Sequence, residues 1–157
     1  MSTIFGDAAR WHIPLFFHCS NKATEERARL PIVCIIDDDA SVRVAVERIV
    51  RSMDLAAYSF ASCRDFLESP QLHNASCIIA DVQMPEMSGL ELQRIIKSRG
   101  LAAPLIFVTA YPDDKLRKQA LDAGAICFLD KPFQGAAIVE CIERALKRDS
   151  DASPEQP

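Results

Sequence analysis

Four short apolar runs, Ile32–Ile36, Cys77–Ala80, Leu105–Val108 and Ala125–Leu129, punctuate the chain, and each gives way to polar residues. Asp37-Asp38-Asp39, Asp81, Thr109 and Asp130-Lys131-Pro132 follow them in turn. Runs this short and this continuously apolar fit strands of a parallel sheet covered on both faces. Between them the spacing becomes helical. Val42, Val46, Ile49, Val50 and Met53 share one face of a first helix. Leu55–Phe60 is a weaker run suited to a sheet edge, and Ser62 opens a short second helix carrying Phe66 and Leu67 that ends near Pro70. Ser88 with Glu91 forms a capping box ahead of Leu92, Ile95 and Ile96, and Gly100 closes that third helix. Pro112 suits the first turn of a fourth helix and Gly124 its C-terminal cap. Ile138, Ile142, Ala145 and Leu146 make the inner face of a fifth.

The alternation predicts an α/β domain over residues 31–148, a (βα)5 doubly wound parallel five-stranded sheet with helices on both faces. Two segments flank it. Residues 1–30 carry Trp11, Ile13, Leu15, Phe16 and Phe17 without a sustained period and are expected to be a loosely ordered extension. A native start near Leu30 or Val33 would serve the domain equally well. Residues 149–157 are acidic, contain Ser and Pro, and are expected to be a disordered tail.

Composition narrows the functional classes. The 157 residues are 49% hydrophobic and carry a net charge of -4, which disfavours direct DNA binding and attachment to an anionic membrane surface. No apolar stretch approaches a bilayer span, so the chain is expected to be cytoplasmic. Cys34, Cys77, Cys127 and Cys141 fall in apolar or helical patterns and read as small buried hydrophobes in a reducing compartment. His12, His18 and His73 do not combine with cysteines at zinc-binding spacings.

The polar strand ends carry the chemistry. In an open parallel sheet, ligands bind outside the carboxyl ends of the strands. Asp81 ends a central strand and is the candidate nucleophile, since an aspartate attacking phosphorus gives an acyl phosphate. Anion attacking anion needs a divalent cation, and Asp37 and Asp38 supply the acidic edge that Mg2+ prefers. Asp39 reads instead as a helix N-terminal cap. Lys131 can pair with a phosphoryl oxygen and Thr109 can donate its hydroxyl hydrogen bond to one.

Ile36-Asp37-Asp38-Asp39, Asp81 through Gly89, Val108-Thr109-Ala110, Ala123-Gly124-Ala125 and Leu129-Asp130-Lys131-Pro132-Phe133 together resemble the receiver domain of two-component response regulators. The stretch from Ser41 to Leu67 most resembles the FixJ-type subgroup. The resemblance implies a flavodoxin-like strand order 2-1-3-4-5, with Asp81 as phosphoacceptor and Asp37, Asp38, Asp81 and the Gln83 carbonyl as Mg2+ ligands. It implies Thr109 and Lys131 as phosphate contacts, Thr109 and Phe128 as switch residues, and a cis peptide before Pro132. Its implied partners are a sensor histidine kinase or phosphotransfer protein and a downstream protein on the face of the fourth helix, fifth strand and fifth helix. FixJ-type regulators commonly continue into a helix-turn-helix output domain, which Asp149–Pro157 cannot supply, so a stand-alone receiver is expected. A constitutive scaffold and a free phosphohydrolase are the competing classes; the first leaves the acidic residues without a use, and the second lacks a visible acid/base and substrate cap.

Overall fold

The computed structural model describes residues 30–152. Within them β1 (Ile32–Ile36), α1 (Ala40–Ser52), β2 (Ala56–Phe60), α2 (Cys63–Leu67), β3 (Cys77–Asp81), α3 (Gly89–Ser98), β4 (Leu105–Thr109), α4 (Asp114–Asp122), β5 (Cys127–Asp130) and α5 (Gly135–Ala152) alternate. A 3-10 turn at Pro70–His73, which the hydrophobic spacing does not signal, follows α2. All neighbouring strands pair in parallel, in the order β2-β1-β3-β4-β5. The expected topology is therefore present, with the weakest strand, β2, at an edge.

Side chains that alternate along each strand supply two separate cores. Val33, Ile35, Cys77, Ile79, Ile106 and Val108 face α1 and α5, where they meet Val46, Val50, Ile138 and Ile142. Cys34, Ile36, Ile78, Ala80 and Phe107 face the other way, against Phe66, Leu92, Ile96 and Ala120 from α2, α3 and α4. Because both faces are covered, every residue of β3 and β4 is buried, including their terminal Asp81 and Thr109. A polar strand end in this fold is thus held by a dry, rigid layer.

The helix starts follow local chemistry. Asp39 caps α1 by accepting from the Ser41 amide at 2.9 Å. Ser88 and Glu91 complete the capping box of α3 in both directions. Gly100 (φ +72°) and Gly124 (φ +105°) take the left-handed conformation just past the ends of α3 and α4. Pro112 differs from expectation, because it precedes the cap rather than lying in the first turn. Asp113 is the N-cap, its carboxylate accepting from the Lys115 amide at 2.8 Å, a bond that no proline can provide.

The expected domain end at residue 148 falls inside α5, which continues to Ala152. Residues 153–157 and the expected extension up to residue 29 lie outside the described residues. No helix among the described residues is long and apolar enough to cross a membrane.

The two cores make a direct prediction. Phe66 and Ile142 are both fully buried, one on each face of the sheet. Phe66→Ala and Ile142→Ala should each cost about 2–5 kcal/mol in urea denaturation.

Candidate functional site

Register brings the strand-end residues together. Ile36 pairs with Ala80, Asp81 with Val108, and Thr109 with Asp130. One step beyond each pairing, Asp37 comes level with Asp81, and Lys131 follows the end of β5. Asp37 and Asp81 are buried, at 1% and 6% exposure, while Asp38 reaches solvent beside them. Oxygens from the Asp37, Asp38 and Asp81 carboxylates lie within 4.8 Å of one another. Lys131 Nζ stands 2.7 Å from Asp37 Oδ2 and 3.0 Å from Asp81 Oδ2.

One ammonium facing three carboxylates leaves the cluster formally at −2. Burial pushes the Asp37 carboxyl above the ordinary range, against the lowering effect of its bonds to Lys131 and the Asp39 amide. Burial also pulls on Lys131, in the opposite sense, but hydrogen bonds and charge from Asp37 and Asp81 outweigh it and hold the ammonium above its usual value. The two directions have different origins, burial for Asp37 and neighbouring carboxylates for Lys131, but the formal excess of negative charge still favours an added cation. The donor set, three hard carboxylate oxygens with solvent access through Asp38, suits a divalent cation of the Mg2+ type.

Main-chain contacts hold the acidic groups in place. The Asp39 amide donates to Asp37 Oδ1 at 2.9 Å, and the Gln83 amide donates to Asp81 Oδ1 at 3.0 Å. Arg43 Nη1 donates to the Asp37 carbonyl at 2.6 Å, from one turn into α1. Gly89 opens α3 so close to β3 that a Cβ there would meet the Asp81 carbonyl oxygen at 2.6 Å and Phe107 Cε1 at 2.9 Å. Sequence reasoning assigned neither Arg43 nor Gly89 a role. Gly89 had a signal, a glycine in the first turn of a well-capped helix where alanine is the better helix former; Arg43 had none, since an arginine at that spacing reads as a solvated helix residue.

The remaining expected site residues sit near the cluster without joining it. Thr109 is fully buried, and its hydroxyl accepts from the Tyr111 amide at 3.1 Å and donates to the Tyr111 carbonyl at 3.3 Å. Gln83 is exposed in the loop after β3. Phe128 is buried at 5% exposure against Phe107. The Lys131–Pro132 peptide is cis, as the family resemblance implies.

Residues 33–143 match the response regulator receiver domain family. TodT, a response regulator protein of Pseudomonas putida, is 36% identical over 141 residues, covering 88% of this chain and 62% of its own. Among solved structures, response regulator StyR superposes with a TM-score of 0.72 at 35% identity, covering 78% of this chain and 62% of that one. FixJ-N superposes with a TM-score of 0.67 at 33% identity, covering 74% of this chain and 94% of that one. The chain thus spans less than two thirds of TodT.

The charge balance predicts opposite responses to two substitutions. In metal-free buffer Lys131→Met should destabilise the fold by about 3–5 kcal/mol, because it leaves two buried carboxylates without their counter-ion. Asp81→Asn removes one of the excess negative charges and should leave the midpoint of denaturation unchanged or raised. A lower midpoint for Asp81→Asn would show that the cluster is balanced rather than over-charged.

Proposed function

Because this chain belongs to the response regulator receiver domain family, we propose that it accepts a phosphoryl group from a histidine kinase on Asp81 and signals through a protein-binding surface. Receivers of this family are phosphoacceptor modules of two-component signalling. The observation that carries the assignment is the meeting of Asp37, Asp38, Asp81 and Lys131 at adjoining strand ends.

Asp37, Asp38, Asp81 and the Gln83 carbonyl would hold Mg2+. When bound, the cation offsets their negative charge and attracts the incoming phosphoryl oxygens. An Asp81 carboxylate oxygen attacks phosphorus, forming the O–P bond as the N–P bond of a phosphohistidine breaks and its electron pair returns to the imidazole. Lys131, now shared by two carboxylates, exchanges one of them for a phosphoryl oxygen and stabilises the added charge. Thr109 turns its hydroxyl from Tyr111 to a second phosphoryl oxygen, which vacates space beside Phe128. Water later releases phosphate from Asp81, so the domain catalyses its own slow return.

The partner surface lies on α4, β5 and α5, with Phe128 of β5 packed in the core beneath α4. The net charge of -4 supports protein partners over direct contact of this domain with DNA. The buried free thiols of Cys34, Cys63, Cys77, Cys127 and Cys141 support a reducing compartment such as the cytoplasm.

Incubation with Mg2+ and acetyl phosphate should add one phosphoryl mass to the intact protein. Asp81→Asn should add none, and removing Mg2+ with a chelator should abolish the addition. A folded parent protein that gains no mass from acetyl phosphate or from a histidine kinase would defeat the proposal.

A further inference from the structure

Arg117 points back from α4 onto β5 and contacts one short segment in three ways. Its Nη1 donates to the Phe128 carbonyl at 3.0 Å. Its guanidinium carbon lies 5.0 Å from the centroid of the Phe128 ring. Its Nη2 pairs with Asp130 Oδ1 at 3.0 Å. The ring also meets Phe107, with centroids 6.4 Å apart and planes tilted by 54°. Phe128 is therefore in contact with both a buried aromatic ring and a cation that itself remains 38% exposed on its side chain.

These contacts distinguish Arg117 from an ordinary surface arginine. An isolated ion pair to Asp130 at this exposure would contribute little. Here the same planar group also donates to the main chain of β5, a strand at the sheet edge, and so is held in one orientation. A guanidinium held that way presents its face to the aromatic ring only while the ring stays inside; turning the ring outward forfeits that attraction.

We infer that Arg117 is a positioning residue that holds Phe128 in its inward rotamer before any phosphoryl group arrives. The inference rests on the reading of Phe128 as the residue that responds to Thr109. In that reading the inward ring is the state that phosphorylation favours, so Arg117 biases the unmodified protein toward it. By linkage, whatever favours the inward ring in advance also favours phosphoryl acceptance. Arg117 acts from the partner-binding face, so a partner that engages its guanidinium would alter the bias from outside.

The test is a fluorine spectrum of the full chain with 4-fluorophenylalanine placed at position 128, recorded in H2O and D2O without phosphoryl donor. The parent should give a protected resonance with little solvent-isotope shift. Arg117→Ala should move it toward the solvent-exposed value, and Arg117→Lys, which keeps the charge but not the planar fork, should restore it only in part. In a second arm, phosphorylation of Arg117→Ala by acetyl phosphate and Mg2+ should be about three- to tenfold slower. If Arg117→Ala does not fold, Arg117→Gln carries the same comparison. A spectrum that superimposes on the parent's, with only the melting temperature lowered, would reduce Arg117 to a structural contact and overturn the inference. The fluorine readout needs no phosphoryl group, so a parent protein that fails to accept phosphate would defeat the reading of Asp81 while leaving the test of Arg117 intact.

Discussion

One ammonium shared by two buried carboxylates constrains everything else at the strand ends. Lys131 bridges Asp37 and Asp81 across the sheet from a chain position 94 residues beyond the first of them. Burying two carboxylates at this depth is costly unless charge is compensated on the spot. The fold meets that need by register. β1 and β3 are neighbours, which puts the two aspartates side by side, and β5 is two strands from β3, a distance a lysine side chain spans and a shorter side chain would not. Compensation is incomplete by design, because Asp38 adds a third carboxylate at the solvent edge. A site so charged repels a free phosphate and attracts a cation.

Rigidity is the second requirement, and it comes from packing. Alternate residues of β1, β3 and β4 bury against different helix layers, so those strands cannot slip without exposing both cores. Gly89 shows how little slack remains: α3 starts in van der Waals contact with the main chain of Asp81, where even a methyl group has no room. Asp81 is thus backed by a helix terminus, and Arg43 holds the neighbouring Asp37 by its carbonyl.

Much of this was legible along the chain because it is written in local patterns. Apolar runs ending in Asp81 and Thr109 specify buried strands with polar ends, and Ser88 with Glu91 specifies a helix start that the structure reproduces bond for bond. Strand order and the cis peptide at Pro132 came from family resemblance, since neither periodicity nor spacing encodes which strands adjoin. Pro112 was misplaced by a turn position because two adjacent residues competed for the helix start, and the side-chain acceptor of Asp113 prevailed over proline's fixed φ. Arg43 and Arg117 were invisible for a physical reason. Their contacts join residues that are remote or oriented only by tertiary packing, and an arginine's long side chain gives no hint in sequence of where its head will settle.

The division of labour along β5 explains how a change confined to two side chains could reach the surface. Lys131 and Phe128 lie three residues apart, one beyond the strand end in the charged cluster and the other in the core beneath α4. The Lys131 amide is bonded to the Thr109 carbonyl at 2.7 Å, so the main chains of β4 and β5 stay joined while side chains exchange partners. Thr109 spends its hydroxyl on Tyr111, a 70% exposed residue in a loop, and in the proposed function a stronger bond to a phosphoryl oxygen replaces that one. Under the proposed function, moving that hydroxyl would alter the packing around Phe128, and a packed aromatic in contact with Phe107 and Arg117 has few stable positions rather than a continuum. Charge at the strand ends would thereby become a choice between discrete arrangements of the α4 and β5 face, with the sheet itself held by both cores.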